Sequence, residues 1–158
     1  MNLRTLTTSA LALGLVIPAT GCFETISGPY DGPTVVEFAQ FAGAADPYTR
    51  TVGEDAGTVG LTVNLIGPQQ ASDIVIQVAV DEGASTAEAG SDYTFPNGAQ
   101  VTIPANSSSG TLSINVLDDG DDDGDAETIV MELAGTADGS IEGADNFDDF
   151  TLTITDND

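Results

Sequence analysis

Residues 118–125 read DDGDDDGD, six aspartates in eight positions. Carboxylates this close repel one another, by roughly 1 kcal/mol per pair at about 4 Å in water and roughly four times that near a protein surface. Taken alone, such a run reads as a solvated acidic loop. The alternative is a divalent cation lying among the carboxylates and reversing the sign of that energy. The chemistry would then be hard-oxygen coordination, which suits Ca2+: it accepts about six to eight oxygen ligands at about 2.3–2.6 Å in a flexible shell that several loops can share. Magnesium asks for a tighter octahedron and keeps its waters, and is the weaker candidate. Zinc would need histidine or cysteine; the chain has no histidine and one cysteine.

A helix-loop-helix calcium site is excluded by the spacing. Asp119, Asp121, Asp123 and Gly124 reproduce its opening, but the twelfth position from Asp119, which must be a bidentate glutamate, is Val130. The flanking segments also alternate as strands do.

The elements that must position the loop show this alternation throughout. Val59, Leu61, Val63 and Leu65 fall on one face of TVGLTVNL, and Ile74, Ile76, Val78 and Val80 on one face of DIVIQVAV. Val101 and Ile103, then Leu112, Ile114 and Val116, then Ile129, Met131 and Leu133, and finally Phe150, Leu152 and Ile154 repeat the pattern. With VVEF at 35–38, about seven strands are expected, separated by Gly, Asp, Asn and Ser clusters. No segment keeps a helical period. The expected fold is all-β, an antiparallel immunoglobulin-like sandwich of two sheets with one buried face each. In such a sandwich the loops gather at two ends, so GEDAG before Thr58, GSDY at 90–93, the acidic run and the closing TDND can converge.

Four blocks in order carry a family resemblance: EDAGTVGLTV (54–63), GASTAEAGSDYTF (83–95), VLDDGDDDGDAETIVMEL (116–133) and LTITDND (152–158). Together they resemble the Calx-beta domain, a calcium-binding immunoglobulin-like module of sodium–calcium exchangers and of extracellular adhesion and bacterial surface proteins. The resemblance spans 34–158. It implies a seven-stranded sandwich with a cluster of calcium ions at one end, ligated through Glu54, Asp92, Asp118, Asp119, Asp123, Asp156 and Asp158, with the backbone carbonyl of Asp121 as a further ligand. Glu127 matches the glutamate that opens the next strand. Three departures imply fewer ions than the full family cluster: Asp123 replaces a glutamate, an extra residue lies near Ala126, and Asn157 replaces the middle acid of the last triplet. Tyr93, Phe95 and Met131 read as sandwich packing, and Asp145, Asp148 and Asp149 as a solvated loop.

Ahead of the sandwich, residues 1–21 carry Arg4, an apolar run from Ala10 to Ile17 and small residues before Cys22. This is the pattern of a secretory signal peptide, and Ala19-Thr20-Gly21-Cys22 resembles a bacterial lipobox with Ala19 in place of the usual leucine. The expectation is a lipid on Cys22, a Gly-Pro-rich tether over 22–33, and anchoring to the outer or cytoplasmic membrane with the domain facing away from the cytoplasm.

The net charge of −24, with 26 acidic residues against Arg4 and Arg50, excludes nucleic acid as a partner because nothing is present to neutralise phosphate. It also disfavours docking on anionic lipid heads. Catalysis is not expected: without histidine or lysine, a serine or threonine nucleophile lacks its base. Two functions remain. The first is a lipid-anchored, calcium-binding surface module; the second is a structural or adhesive module whose acids serve solubility in high salt. Any protein or glycan partner is left unnamed by the sequence.

Overall fold

The computed structural model describes residues 30–40, 46, 48–118, 120 and 126–156. These form ten strands: β1 (Val35–Phe38), β2 (Thr49–Gly53), β3 (Thr58–Ile66), β4 (Ile74–Val80), β5 (Tyr93–Thr94), β6 (Gln100–Ile103), β7 (Ser109–Val116), β8 (Glu127–Thr136), β9 (Glu142–Gly143) and β10 (Asp149–Thr155). One short 3-10 turn, Glu54–Ala56, joins β2 to β3. Two five-stranded sheets result, in the orders β5-β7-β3-β1-β9 and β2-β10-β8-β4-β6. Among the described residues no helix is long and apolar enough to cross a membrane.

The immunoglobulin-like sandwich is the expected architecture, and every segment expected as a strand is one. Alternation is its cause. β3 follows an exposed–buried alternation over Thr58–Val63, with Val59, Leu61, Val63 and Leu65 turned inward, and β7 and β10 do the same with Leu112, Ile114, Val116 and with Phe150, Leu152, Ile154. The two inward faces meet in a single apolar core. The rings of Phe38 on one sheet and Phe150 on the other lie 5.2 Å apart at a 49° tilt, pinning the layers together. Met131 is completely buried in this core. Each such side chain contributes about 1.5–3 kcal/mol relative to an exposed position.

Three strands were not expected. In β2, Thr49–Gly53, no residue is fully buried, so the strand carries no alternation to read; it is held instead by parallel pairing to β10, from Thr151 against Thr49 to Thr155 against Gly53. β5 and β9 are two residues long, too short for any period.

The outward faces of β3 and β7, at the middle of the first sheet, carry no charge. On β3 and β7 the outward register pairs are Thr58 with Asn115, Gly60 with Ser113, Thr62 with Thr111 and Asn64 with Ser109. Acidic residues do occur in other strands, with Glu37 on β1, Glu127 and Glu132 on β8, Glu142 on β9 and Asp149 on β10.

Candidate metal centre

The strand registers bring four of the expected ligand positions to one end of the sandwich. Thr58, which opens β3, pairs with Asn115 next to the close of β7. The turn holding Glu54 sits on the same edge, because the Val116 N–H donates to the Gly57 carbonyl at 2.9 Å. Tyr93 pairs with Val116, and the Leu117 N–H donates to the Asp92 carbonyl at 2.8 Å, which sets Asp92 beside Asp118. On the other sheet, Thr155 pairs with Gly53 and Ile154 with Glu127, so Asp156 leaves β10 at the same end. Asp119, Asp121, Asp123 and Asp158 lie outside the described residues, as does Cys22.

Asp92 differs from the rest. It is 5% exposed, the one buried acidic residue of the described chain. Its carboxylate accepts the backbone N–H of Glu88, and the Asp92 N–H in turn donates to the Glu88 carbonyl at 3.0 Å. This closes residues 88–92 into a tight turn just before β5. A carboxylate can accept at about four lone-pair positions, and burying one is costly without compensating partners. Neighbouring Tyr93 is buried against Phe95, edge to face at 5.5 Å. Its phenol is pushed above the ordinary value of 10.0, first by burial and then by the charges of Glu82 and Asp92.

Glu54 and Asp156 are half-buried, whereas Asp118 is exposed and accepts the Gly120 N–H at 2.9 Å. The donor set is chemically uniform, all hard carboxylate oxygens with no nitrogen or sulfur, and that suits calcium and not zinc. Among the described residues, however, no three acidic side chains stand close enough together to hold a metal ion. The backbone gathers the positions; the described carboxylates have not closed around a point.

Asp145, Asp148 and Asp149 do not join this end: Asp149 opens β10 opposite Glu132, away from the Thr155 edge. The contact that sequence reasoning missed is the Glu88–Asp92 turn, since the only trace of it is the spacing of two acids four apart, which many loops share.

No family model matches the chain, and no curated protein does. Solved structures are similar in fold. The apo form of the Calx CBD1 domain matches with a TM-score of 0.58 at 22% identity, over 80% of this chain and 100% of that one. The calcium binding domain structure CBD12 of CALX1.1 matches with a TM-score of 0.58 at 21% identity, over 78% of this chain and 44% of that one. The Calx CBD2 domain matches with a TM-score of 0.56 at 10% identity, over 77% of this chain and 86% of that one. The fold is therefore the immunoglobulin-like sandwich of the Calx CBD type.

Proposed function

We propose that the chain is a lipid-anchored, non-enzymatic surface protein whose acidic end binds calcium, and that binding orders the loops of that end. The observation that carries this reading is convergence: Glu54, Asp92, Asp118 and Asp156 come from four separate segments, and strand register brings all four segments to one end. Asp119, Asp121, Asp123 and Asp158 follow in the same loops and would complete the set. Bound there, calcium would supply charge neutralisation. The chain's residues do the rest: the Glu88 N–H holds the Asp92 carboxylate in place, the 3-10 turn presents Glu54, and β10 delivers Asp156. One of the solved structures of similar fold is that of a calcium binding domain, which supports the assignment of the ion.

The placement of charge favours this over a salt-adapted acidic coat. A coat would spread acids over all the exposed surface, including the outward faces of β3 and β7, and those positions are threonine, serine, asparagine and glycine. Membrane anchoring rests on Cys22 and the segment before it. It is geometrically compatible with the fold, because β1 begins at the far end, Val35 pairing with Ile66 at the close of β3. A tether entering there would hold the acidic end away from the membrane.

Calcium titration by calorimetry tests the site. Heat that saturates at a small whole number of ions supports it, and replacing Asp119 and Asp123 together should abolish that phase. Diffuse, unsaturable uptake that ignores the double replacement would refute the site and leave the structural or adhesive reading. Mass-spectrometric detection of acyl chains on Cys22 of membrane-extracted protein tests the anchor separately.

A further inference from the structure

A pocket of about 380 Å³ opens beside the Glu88–Asp92 turn, lined by Val80, Glu82, Ser85, Thr86, Glu88 and Tyr93 among others. Its wall is firmly built. The Asp81 carboxylate accepts the N–H groups of Gly83 and Ala84 at 2.9 and 3.1 Å. Ser85 and Thr86 are locked onto β8, their hydroxyl oxygens accepting the N–H groups of Val130 and Thr128 at 2.9 and 2.8 Å. The N–H groups of Thr86 and Ala87 both donate to the Thr128 carbonyl.

Tyr93 is 4% exposed, yet among the described residues its hydroxyl has no hydrogen-bond partner. No fully enclosed side-chain oxygen of the described chain lacks one, so this hydroxyl opens to solvent. Glu82 is another residue of the same lining. A buried phenol thus shares one pocket lining with Glu82 and Glu88, and among the described residues its hydroxyl is left with no hydrogen-bond partner.

The ligand chemistry follows. An anion would be repelled by both glutamates. A metal ion is poorly served, since a neutral phenol is a weak ligand and no three acids of the described chain stand close enough to hold one. An organic cation can donate N–H bonds to the carboxylates, where charge assistance strengthens them, and donate one to the phenol oxygen. The volume lies at the small end of ligand pockets. We propose that this pocket binds a compact organic cation, an ammonium or guanidinium group, between Glu82 and Glu88 with the Tyr93 hydroxyl as the third partner. It does not depend on the calcium reading.

The test is a backbone-amide NMR titration of the full chain, in excess chelator so that calcium plays no part, with putrescine and with N-acetylarginine amide. Saturable shifts confined to residues 81–93 are expected. Tyr93→Phe, which keeps the ring, should weaken binding about tenfold, the loss of one charge-assisted hydrogen bond, and Glu82→Gln by at least as much. Unchanged shifts at Phe38 and Phe150 would show that the Tyr93→Phe core is intact. Tighter binding of putrescine assigns a free diamine, and tighter binding of the arginine probe assigns a partner's side chain; either supports the pocket. Shifts that spread equally to Asp138 and Asp145, or equal affinity of wild type and Tyr93→Phe, overturn it.

Discussion

The two ends of this sandwich use aspartate in opposite ways. At the end away from the candidate metal centre, the turn between β8 and β9 is built around Asp138. Its carboxylate accepts the Thr136 and Ser140 hydroxyls at 2.7 Å each and the Ser140 N–H at 3.1 Å. These donors lower Asp138 to about 2, with Ser140 the main cause. Nearby, Asp73 accepts the Ala105 N–H at 2.8 Å. Those carboxylates are answered by donors that the fold itself supplies. At the other end Asp92 is buried with the Glu88 N–H as its hydrogen-bond donor, and the run 118–125 adds six more charged positions. One residue type thus serves as a finished turn element and as an unfinished acceptor. Acidity in this chain is therefore not one property.

The largest expected effect lies at the finished end and should ignore calcium. Gly135 has φ +80, and a Cβ there would collide with the Ile141 carbonyl oxygen across the β8–β9 turn. Gly135→Ala therefore combines backbone strain with overpacking, each about 1–3 kcal/mol. Urea unfolding should show a loss of about 3 kcal/mol, equal with calcium and with chelator. A loss that calcium restores would mean that the two ends are not separate.

Next in size is calcium itself. Mass action on a native-state site gives about 2.7 kcal/mol of stabilisation at one hundred times the dissociation constant. Thermal unfolding at moderate salt should shift upward with calcium and return with chelator. Molar salt should blunt the contrast by screening the exposed part of the cluster. An unchanged melt would leave the acidic end as merely solvated.

Substituting the same residue type at each end sharpens the contrast further. Asp92→Asn keeps the shape of the buried side chain and its contact with the Glu88 N–H but removes the charge. It should weaken calcium binding by about tenfold or more, equivalent to about 1.4 kcal/mol or more. Asp138→Asn should leave the calcium isotherm where it was. Equal effects of the two, read by calorimetry, would dissolve the distinction.

The sandwich was legible because burial on one side of each strand leaves a period of two. Val59 to Leu65 and Phe150 to Ile154 announce their strands and their inward faces without help from the rest of the chain. β2 was silent for the same reason in reverse: Thr49–Gly53 owes its place to pairing with β10, a long-range partner that local pattern cannot reveal. The order of the acidic segments was legible, and with it their arrival at one end, because alternating loops of a sandwich must alternate ends. The burial of Asp92 was not. It follows from a turn closed by two backbone groups of Glu88 and from packing beside Tyr93, neither of which leaves a mark in residue types. The pocket beside it was equally hidden, since its wall depends on Ser85 and Thr86 meeting β8 more than forty residues later.

The smallest effect is the most specific to the finished end. The folded state holds Asp138 at about 2, below the ordinary aspartate value of 3.8. A group whose folded value is depressed adds stability above its unfolded value, and that stability drains away as pH falls through the folded one. Asp138 should therefore support the β8–β9 turn fully above about pH 4 and cease to do so near pH 2. Because the carboxylate is fully exposed, solvent screens most of the energy, and the effect on global unfolding should be slight. Local reporters serve better. The side-chain carboxyl carbon of Asp138, followed by NMR, should titrate near 2, and the amide of Ser140 should move with the same midpoint. Ser140→Ala removes the chief donor and should raise that midpoint toward the ordinary aspartate range. A midpoint that stays low without the Ser140 hydroxyl would show that the turn backbone, not the hydroxyl pair, holds the charge. The far end would then owe its completed carboxylates to loop geometry alone, as the Glu88–Asp92 turn does at the other end.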